Sequence, residues 1–140
     1  MALKAIPGST SGALKSLEYA ISKGAKVSSN SYGSLYGNSN GYKNILDNNP
    51  HHIFVVAAGN GGLELKGSTF TSPCSTASSN VLCVANSNKQ DEKYIGSNYG
   101  TDYVHVFAPG TEIVSCYYKS INSYARMTGT RYDLKSHVIL

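Results

Sequence analysis

The unbroken apolar run at residues 53–58, Ile-Phe-Val-Val-Ala-Ala, constrains the fold more than any other part of the sequence. Apolar residues do not alternate with polar ones here, so a strand formed by this run must be buried on both faces. Such strands occur in parallel sheets that helices cover. Because Gly59 ends the run, we predict a short central strand of an α/β domain.

The segments around this run alternate between helical and extended patterns. Leu14, Leu17 and Ile21 recur at helical spacing. We expect Ser11 to cap this helix at its N-terminus and Gly24 to end it. Further strands are predicted at residues 3–6, 25–31, 80–85 and 104–108, a short helix at 42–46, and a hairpin formed by 112–117 and 123–128 around 119–122. Strands that alternate with helices indicate right-handed βαβ units and a mostly parallel sheet.

Length and charge limit the classes of function. The 140 residues suit one domain or a piece of a larger one, and 12 Lys and Arg against 8 Asp and Glu give a formal net charge of +4. The basic residues are scattered, whereas a nucleic-acid-binding protein would cluster them. No stretch approaches the roughly 18 apolar residues of a membrane span. We therefore expect neither nucleic acid nor a membrane as a partner.

Cysteine and histidine give no metal site. Cys74, Cys83 and Cys116 lack zinc-site spacing, and an odd number permits at most one internal disulfide and leaves one thiol over. His51 and His52 are adjacent, so on a strand they would point to opposite faces, and no third ligand lies nearby in the sequence. We expect this pair to be a polar strand entry, and no cofactor is identifiable from the residues.

Residues 8–12, Gly-Ser-Thr-Ser-Gly, lie between a predicted strand and a predicted helix, where backbone amides attract anions. The segment matches neither phosphate-binding fingerprint, because no Lys follows Gly12 where one is needed. A phosphate or nucleotide site is therefore the weakest of the interpretations.

Taken in order, several segments resemble the subtilisin-like serine proteases, or subtilases. They are residues 19–21, 24–27, 31–33 (Ser-Tyr-Gly), 54–60 (Phe-Val-Val-Ala-Ala-Gly-Asn), 80–85, 97–100 (Ser-Asn-Tyr-Gly), 106–110 (Val-Phe-Ala-Pro-Gly) and 127–130 (Met-Thr-Gly-Thr). Any one of these segments alone is better explained as an ordinary turn, because Gly and Asn tolerate the positive φ values that turns require. Their collinear order is typical of the family. We assign residues 1–130 to a partial subtilase (peptidase S8) catalytic domain and 131–140 to an unmatched tail.

The resemblance implies a three-layer α/β fold with a mostly parallel sheet. The fold is expected to be incomplete, without the family's leading strands and the helix after the catalytic serine. It also implies a groove in which an extended peptide or protein substrate pairs as an added strand. One side would be formed by Ser31, Tyr32 and Gly33. The other side, with the wall of the primary specificity pocket, would be formed by Ala57, Ala58 and Gly59. Asn60 would donate its side-chain amide to the oxyanion.

The sequence departs from the family at its chemistry. Arg131 occupies the position of the nucleophilic serine, and a guanidinium cannot act as the nucleophile. The family's Asp and His motifs precede the strand matched by residues 3–6, and none of the four His falls in a triad position. We therefore predict a fragment of a subtilisin-like serine endopeptidase that is inactive as written. The family is mostly secreted, yet residues 1–8 show no signal peptide. Many intact members of the family also bind calcium.

Two interpretations of these departures stay open. In the first, the chain is an enzyme fragment whose family pattern ends abruptly inside the nucleophile motif. In the second, it is a non-catalytic module that keeps the groove and binds extended peptides. A soluble monomer that melts cooperatively and binds such peptides would favour the second.

Overall fold

The computed structural model of the chain describes residues 1–3, 9–37, 40–116 and 123–130. The strand predicted at 3–6, the hairpin turn at 119–122 and the tail at 131–140 fall wholly or largely outside these ranges. Among the described residues the elements are α1 (Thr10–Ser22), β1 (Val27–Asn30), β2 (Ser34–Leu35), α2 (Asn40–Asp47), β3 (Ile53–Ala57), β4 (Thr71–Ser72), β5 (Val81–Ser87), β6 (Val106–Pro109), β7 (Ile113–Cys116) and β8 (Tyr124–Met127).

A four-stranded sheet in the order β1-β3-β5-β6 forms the centre of the fold, and every neighbouring pair in it is parallel. The apolar run thus forms an inner strand, as predicted. Phe54 and Val56 pack in one buried cluster with residues of α1 and α2, whereas Val55 and Ala57 pack in another. Because successive side chains of a strand point to opposite faces, both faces of β3 are buried. The predicted α/β class is confirmed.

Both predicted helices are present, with one correction at a terminus. Ser9, not Ser11, caps α1: its backbone is extended and its Oγ accepts from the N–H of Gly12 at 3.1 Å. Ser11 lies inside the first turn and cannot take that position. Gly24, with φ of 82°, follows the last turn and donates its N–H to the carbonyl oxygen of Ile21, as expected for a helix end.

Strand boundaries differ slightly from the prediction. The first strand covers Val27–Asn30 instead of 25–31, because residues 31–33 leave the pairing. The last parallel strand begins at Val106, since the N–H of Val104 binds the carbonyl oxygen of Gly100 in the preceding turn. The predicted hairpin is present as the antiparallel pair β7 and β8. None of the described helices is long and apolar enough to cross a membrane.

One disulfide joins Cys74, just after β4, to Cys83 in β5, and Cys116 is an exposed free thiol. This pairing agrees with the predicted limit of one internal disulfide. Both bridged cysteines are buried in the helix-side core. The bridge therefore attaches the short segment after β4 covalently to the central sheet.

The histidine pair lies at the start of β3, as expected of a polar strand entry. His51 is exposed, whereas the buried His52 contacts Ser28 through Nε2 at 2.8 Å and the carbonyl oxygen of Ala25 through Nδ1 at 3.0 Å. A carbonyl oxygen can only accept, so Nδ1 donates to Ala25, and Nε2 shares a hydrogen bond with the Ser28 hydroxyl. Both ring nitrogens are therefore used in hydrogen bonds within the protein.

A candidate substrate-binding cleft

A cleft of about 200 Å³ lies where β1 and β3 end, beside the antiparallel pair β2 and β4. Ligand sites of parallel sheets gather at the carboxyl ends of the strands, so its position is typical of α/β domains. It is lined by Tyr32, Gly33, Ser34, Leu35, Ala57, Ala58, Gly59, Asn60, Gly61, Leu63, Thr71 and Asn98. None of these side chains is charged.

The structure brings most of the predicted site residues together. Those that line the cleft are Tyr32, Gly33, Ala57, Ala58, Gly59 and Asn60. Ser31 is not among the lining residues. Arg131 lies outside the described residues. The placement follows the prediction, while the roles of these residues stay predictions.

Glycine is favoured at two places in the cleft wall. A Cβ on Gly33 would lie 3.1 Å from the carbonyl oxygen of Ser72, so the backbones of the two cleft segments approach closely. Gly59 has φ of 103°, and a Cβ there would lie only 2.6 Å from Nδ2 of Asn98. Side chains are disfavoured at such positive φ values. Both glycines therefore allow close contacts between the segments that form the wall.

Asn60 is held in one orientation by Thr130, although 70 residues separate them. The backbone N–H of Thr130 donates to Oδ1 of Asn60 at 3.0 Å, and the Thr130 hydroxyl donates to the same atom at 3.1 Å. A backbone N–H can only donate, so the atom that faces it must be the amide oxygen. The Asn60 Nδ2 is therefore directed elsewhere, and it makes no hydrogen bond to any other described residue.

Two lining residues that sequence reasoning missed bind the backbone of Ala58. Thr71 donates its hydroxyl to the Ala58 carbonyl oxygen at 3.1 Å, and Asn98 donates Nδ2 to the same oxygen at 2.8 Å. Asn98 belongs to a segment that supported the family resemblance, but its spacing from Ala58 carries no chemical signal. The other lining residues without a predicted role are Ser34, Leu35, Gly61 and Leu63.

Tyr32 is fixed on its side of the cleft by polar and aromatic contacts. Its hydroxyl donates to Oδ1 of Asn30 at 2.9 Å, and its ring lies 6.4 Å from that of Tyr42. Burial raises the pKa of Tyr32 well above its ordinary value, and the neighbouring Tyr42 raises this pKa further. The ring is thus a neutral part of the wall at physiological pH.

The family resemblance makes calcium a candidate ligand of the described residues. Among residues 1–3, 9–37, 40–116 and 123–130, no three His, Cys, Asp or Glu side chains come together as a potential metal cluster. Calcium sites in proteins use several oxygen ligands, with carboxylates prominent. The described residues thus do not form an acidic cluster that fits this ion.

The sequence profile of the subtilase family matches residues 3–132, which is nearly the whole chain. The chain belongs to the subtilase family. Thermitase from Thermoactinomyces vulgaris is 36% identical to it over 126 residues, an alignment that covers 88% of this chain and 41% of thermitase. The family resemblance inferred from the sequence is therefore confirmed.

Solved structures show the same fold. The prenylagaramide maturation protease PagA superimposes with a TM-score of 0.74 at 23% identity, covering 96% of this chain and 48% of PagA. A lanthipeptide protease gives a TM-score of 0.78 at 19% identity, covering 91% of this chain and 48% of that protein. These likenesses confirm the subtilisin-like fold with its mostly parallel sheet. The chain spans less than half the length of thermitase and of these two proteins.

Proposed function

We propose that this chain supplies the peptide groove and the oxyanion donor of a subtilisin-like serine endopeptidase, and that the chain as written does not hydrolyse peptides. The observation that carries the proposal is the fixed amide of Asn60, a residue that lines the cleft. Thr130 occupies Oδ1, so Nδ2 is left as a hydrogen-bond donor at the cleft. A preorganised donor of this kind stabilises negative charge on a substrate oxygen.

The cleft favours an extended peptide with an uncharged, apolar side chain. Leu35, Leu63, Ala57 and Ala58 contribute apolar wall, and among the described residues that line the cleft no side chain is charged. Burying an unpaired charge is costly, so charged side chains would be disfavoured there. Backbone pairing along the glycine-containing walls would provide affinity, and the cleft would select the side chain.

In the intact family mechanism a serine attacks the peptide carbonyl, a histidine accepts the proton and an aspartate orients the histidine. At the nucleophile position this chain has Arg131, which stays protonated and cannot attack. The cleft would bind the substrate, and the side-chain amide of Asn60 would polarise its carbonyl group. With Arg131 at the nucleophile position, the reaction would stop at binding.

The proposal is tested with two peptides that differ in one group. Acetyl-Ala-Ala-Ala-Leu with a free carboxylate mimics a charged oxygen at the donor, whereas its carboxamide does not. The full chain should bind the carboxylate form at least about tenfold more tightly, the effect of one hydrogen bond to a charged group. Asn60→Ala should abolish this preference, and Asn48→Ala, an exposed amide away from the cleft lining, should retain it.

Hydrolysis is measured in parallel with the p-nitroanilide of the same peptide. We expect no release of p-nitroaniline above the rate in buffer. Turnover that resists repurification and specific serine-protease inhibitors would overturn the predicted inactivity. Equal affinity for the two peptides would overturn the role of Asn60, and failure to bind either peptide would overturn the groove.

A further inference from the structure

We propose that Asn98 is a positioning residue, which fixes the turn that carries Asn60 and so sets the direction of the oxyanion donor. The proposal rests on the function proposed above. Asn98 lines the cleft but is only 2% exposed, and its side-chain amide is used in hydrogen bonds to the turn. Its influence on binding would therefore pass through the backbone that it holds.

Asn98 binds four backbone groups of this turn, which comprises residues 58–63. Its Oδ1 accepts from the N–H groups of Gly61 and Leu63, each at 3.0 Å. Its Nδ2 donates to the Ala58 carbonyl oxygen at 2.8 Å. The backbone N–H of Asn98 donates to the Gly59 carbonyl oxygen at 2.9 Å. The Asn98 side-chain amide thus faces N–H donors with its oxygen and a carbonyl acceptor with its nitrogen, and only one orientation of the amide satisfies both.

The turn contributes little regular structure of its own. β3 ends at Ala57, and two residues of the turn, Gly59 and Gly62, have positive φ values of 103° and 64°. Outside Asn98, the N–H of Gly62 binds the carbonyl oxygen of Gly96 at 3.0 Å. The conformation of the turn is thus determined largely by the segment around Asn98, which is distant in sequence.

Asn60 lies in the middle of this turn, between the backbone groups that Asn98 binds. The two carbonyl oxygens that Asn98 binds belong to residues before Asn60. The two N–H groups that donate to Asn98 belong to residues after Asn60. Thr130 fixes the end of the Asn60 side chain, while Asn98 fixes the backbone from which that side chain projects. A donor amide must be held closely to stabilise an oxyanion, so both attachments matter.

Asn80 provides a matched control within the same chain. Its Nδ2 donates to three carbonyl oxygens, those of Leu46, Asn49 and His52, at 3.2, 3.1 and 2.8 Å. Asn80 therefore also binds backbone groups through its side-chain amide, but at the opposite end of β3, away from the cleft. Asn80→Ala removes comparable hydrogen bonds without touching the turn.

The experiment compares Asn98→Ala, Asn98→Asp and Asn80→Ala in the full chain. Amide hydrogen exchange is measured at Gly61 and Leu63, and affinity is measured for the carboxylate and carboxamide forms of acetyl-Ala-Ala-Ala-Leu. Asn98→Ala should raise both exchange rates roughly tenfold and reduce the preference for the carboxylate about fivefold or more. Asn98→Asp replaces Nδ2 with an oxygen that faces the Ala58 carbonyl oxygen and cannot donate to it, so both exchange rates should also rise, although less than in Asn98→Ala. Asn80→Ala should change neither quantity by more than about twofold.

The outcomes separate this proposal from the function on which it rests. If Asn98→Ala weakens both peptides equally, or leaves exchange at Gly61 and Leu63 unchanged, Asn98 does not position the donor. If the wild-type chain shows no preference for the carboxylate, the proposed function fails, while the exchange rates still decide whether Asn98 fixes the turn. If Asn98→Ala does not fold, exchange at Gly61 and Leu63 that is as slow in a folded Asn98→Asp variant as in wild type would overturn the proposal.

Discussion

Thr130 donates two hydrogen bonds to a single atom of Asn60, from its backbone N–H at 3.0 Å and from its hydroxyl at 3.1 Å. Thr130 is fully buried, whereas Asn60 is exposed at the cleft. The contact connects the turn after β3 with the end of the described chain. Two donors on Oδ1 restrict rotation of the amide, so the direction of Nδ2 depends on Thr130.

Thr130→Ala should weaken this restriction without abolishing it, because the backbone N–H remains. One neutral hydrogen bond contributes about 0.5–1.5 kcal/mol, so the preference for a carboxylate-terminated over a carboxamide-terminated peptide should fall by about two- to tenfold. Thr130→Ser keeps the hydroxyl and should retain most of the preference. Equal behaviour of the two variants in a peptide-binding titration would show that the hydroxyl does not orient Asn60.

Gly59→Ala should destabilise the fold and weaken peptide binding. The positive φ of 103° costs about 1–3 kcal/mol for a residue with a side chain, and the added Cβ would also press on Asn98. Gly24→Ala is the matched control, because Gly24 also has a positive φ, of 82°, but nothing lies within 4 Å of an added Cβ. Urea unfolding should show a larger loss for Gly59→Ala, and only this variant should lose binding. A smaller loss than that of Gly24→Ala would refute the close approach.

The double variant Cys74→Ala and Cys83→Ala should lower the free energy of unfolding by about 2–3 kcal/mol, the effect expected for a short disulfide loop. Thr71 precedes Cys74 closely and lines the cleft, so peptide affinity should fall as well. Cys116→Ala removes only the exposed thiol and should leave stability unchanged. Urea unfolding with and without reductant measures the effect; an identical midpoint for wild type and the double variant would contradict the structural role.

Tyr32 should make the fold sensitive to alkaline pH. Burial raises its pKa in the folded state above the ordinary value of 10.0, so the folded state binds this proton more tightly than the unfolded state. Its contribution is therefore complete below pH 10 and is lost progressively as the pH rises above that value. From about pH 8 to about pH 11, the free energy of unfolding should fall more steeply for wild type than for Tyr32→Phe. Tyr124→Phe, at an exposed tyrosine, should follow wild type.

Local patterns in the sequence were sufficient for the elements, whereas the site residues were assigned through the family resemblance and their roles stay predictions. The apolar run at 53–58 predicted the inner strand because burial on both faces leaves no polar position. The order of the Gly- and Asn-rich segments placed Tyr32, Gly33 and Ala57 through Asn60 at one cleft, since strands of a parallel sheet end at the same edge.

Contacts between distant residues could not be predicted in this way. Asn98 and Ala58 are 40 residues apart, and Thr130 and Asn60 are 70 apart, so no periodicity relates them. The predicted cap of α1, Ser11, is two positions away from the observed cap, Ser9. The two serines are chemically equivalent, and only the path of the backbone selects between them. The pairing of Cys74 with Cys83 likewise depends on the approach of two backbone segments.

The most direct measurement is the side-chain amide resonance of Asn60 in an ¹H–¹⁵N spectrum of the full chain. On addition of acetyl-Ala-Ala-Ala-Leu with a free carboxylate, the Asn60 Nδ2 protons should shift downfield as they donate to the charged oxygen, and the carboxamide form should shift them much less. The backbone amides of Gly33 and Gly59 should shift with both peptides. If the carboxylate peptide binds but leaves the Asn60 side chain unshifted, or shifts only residues outside the cleft, the central claim is contradicted.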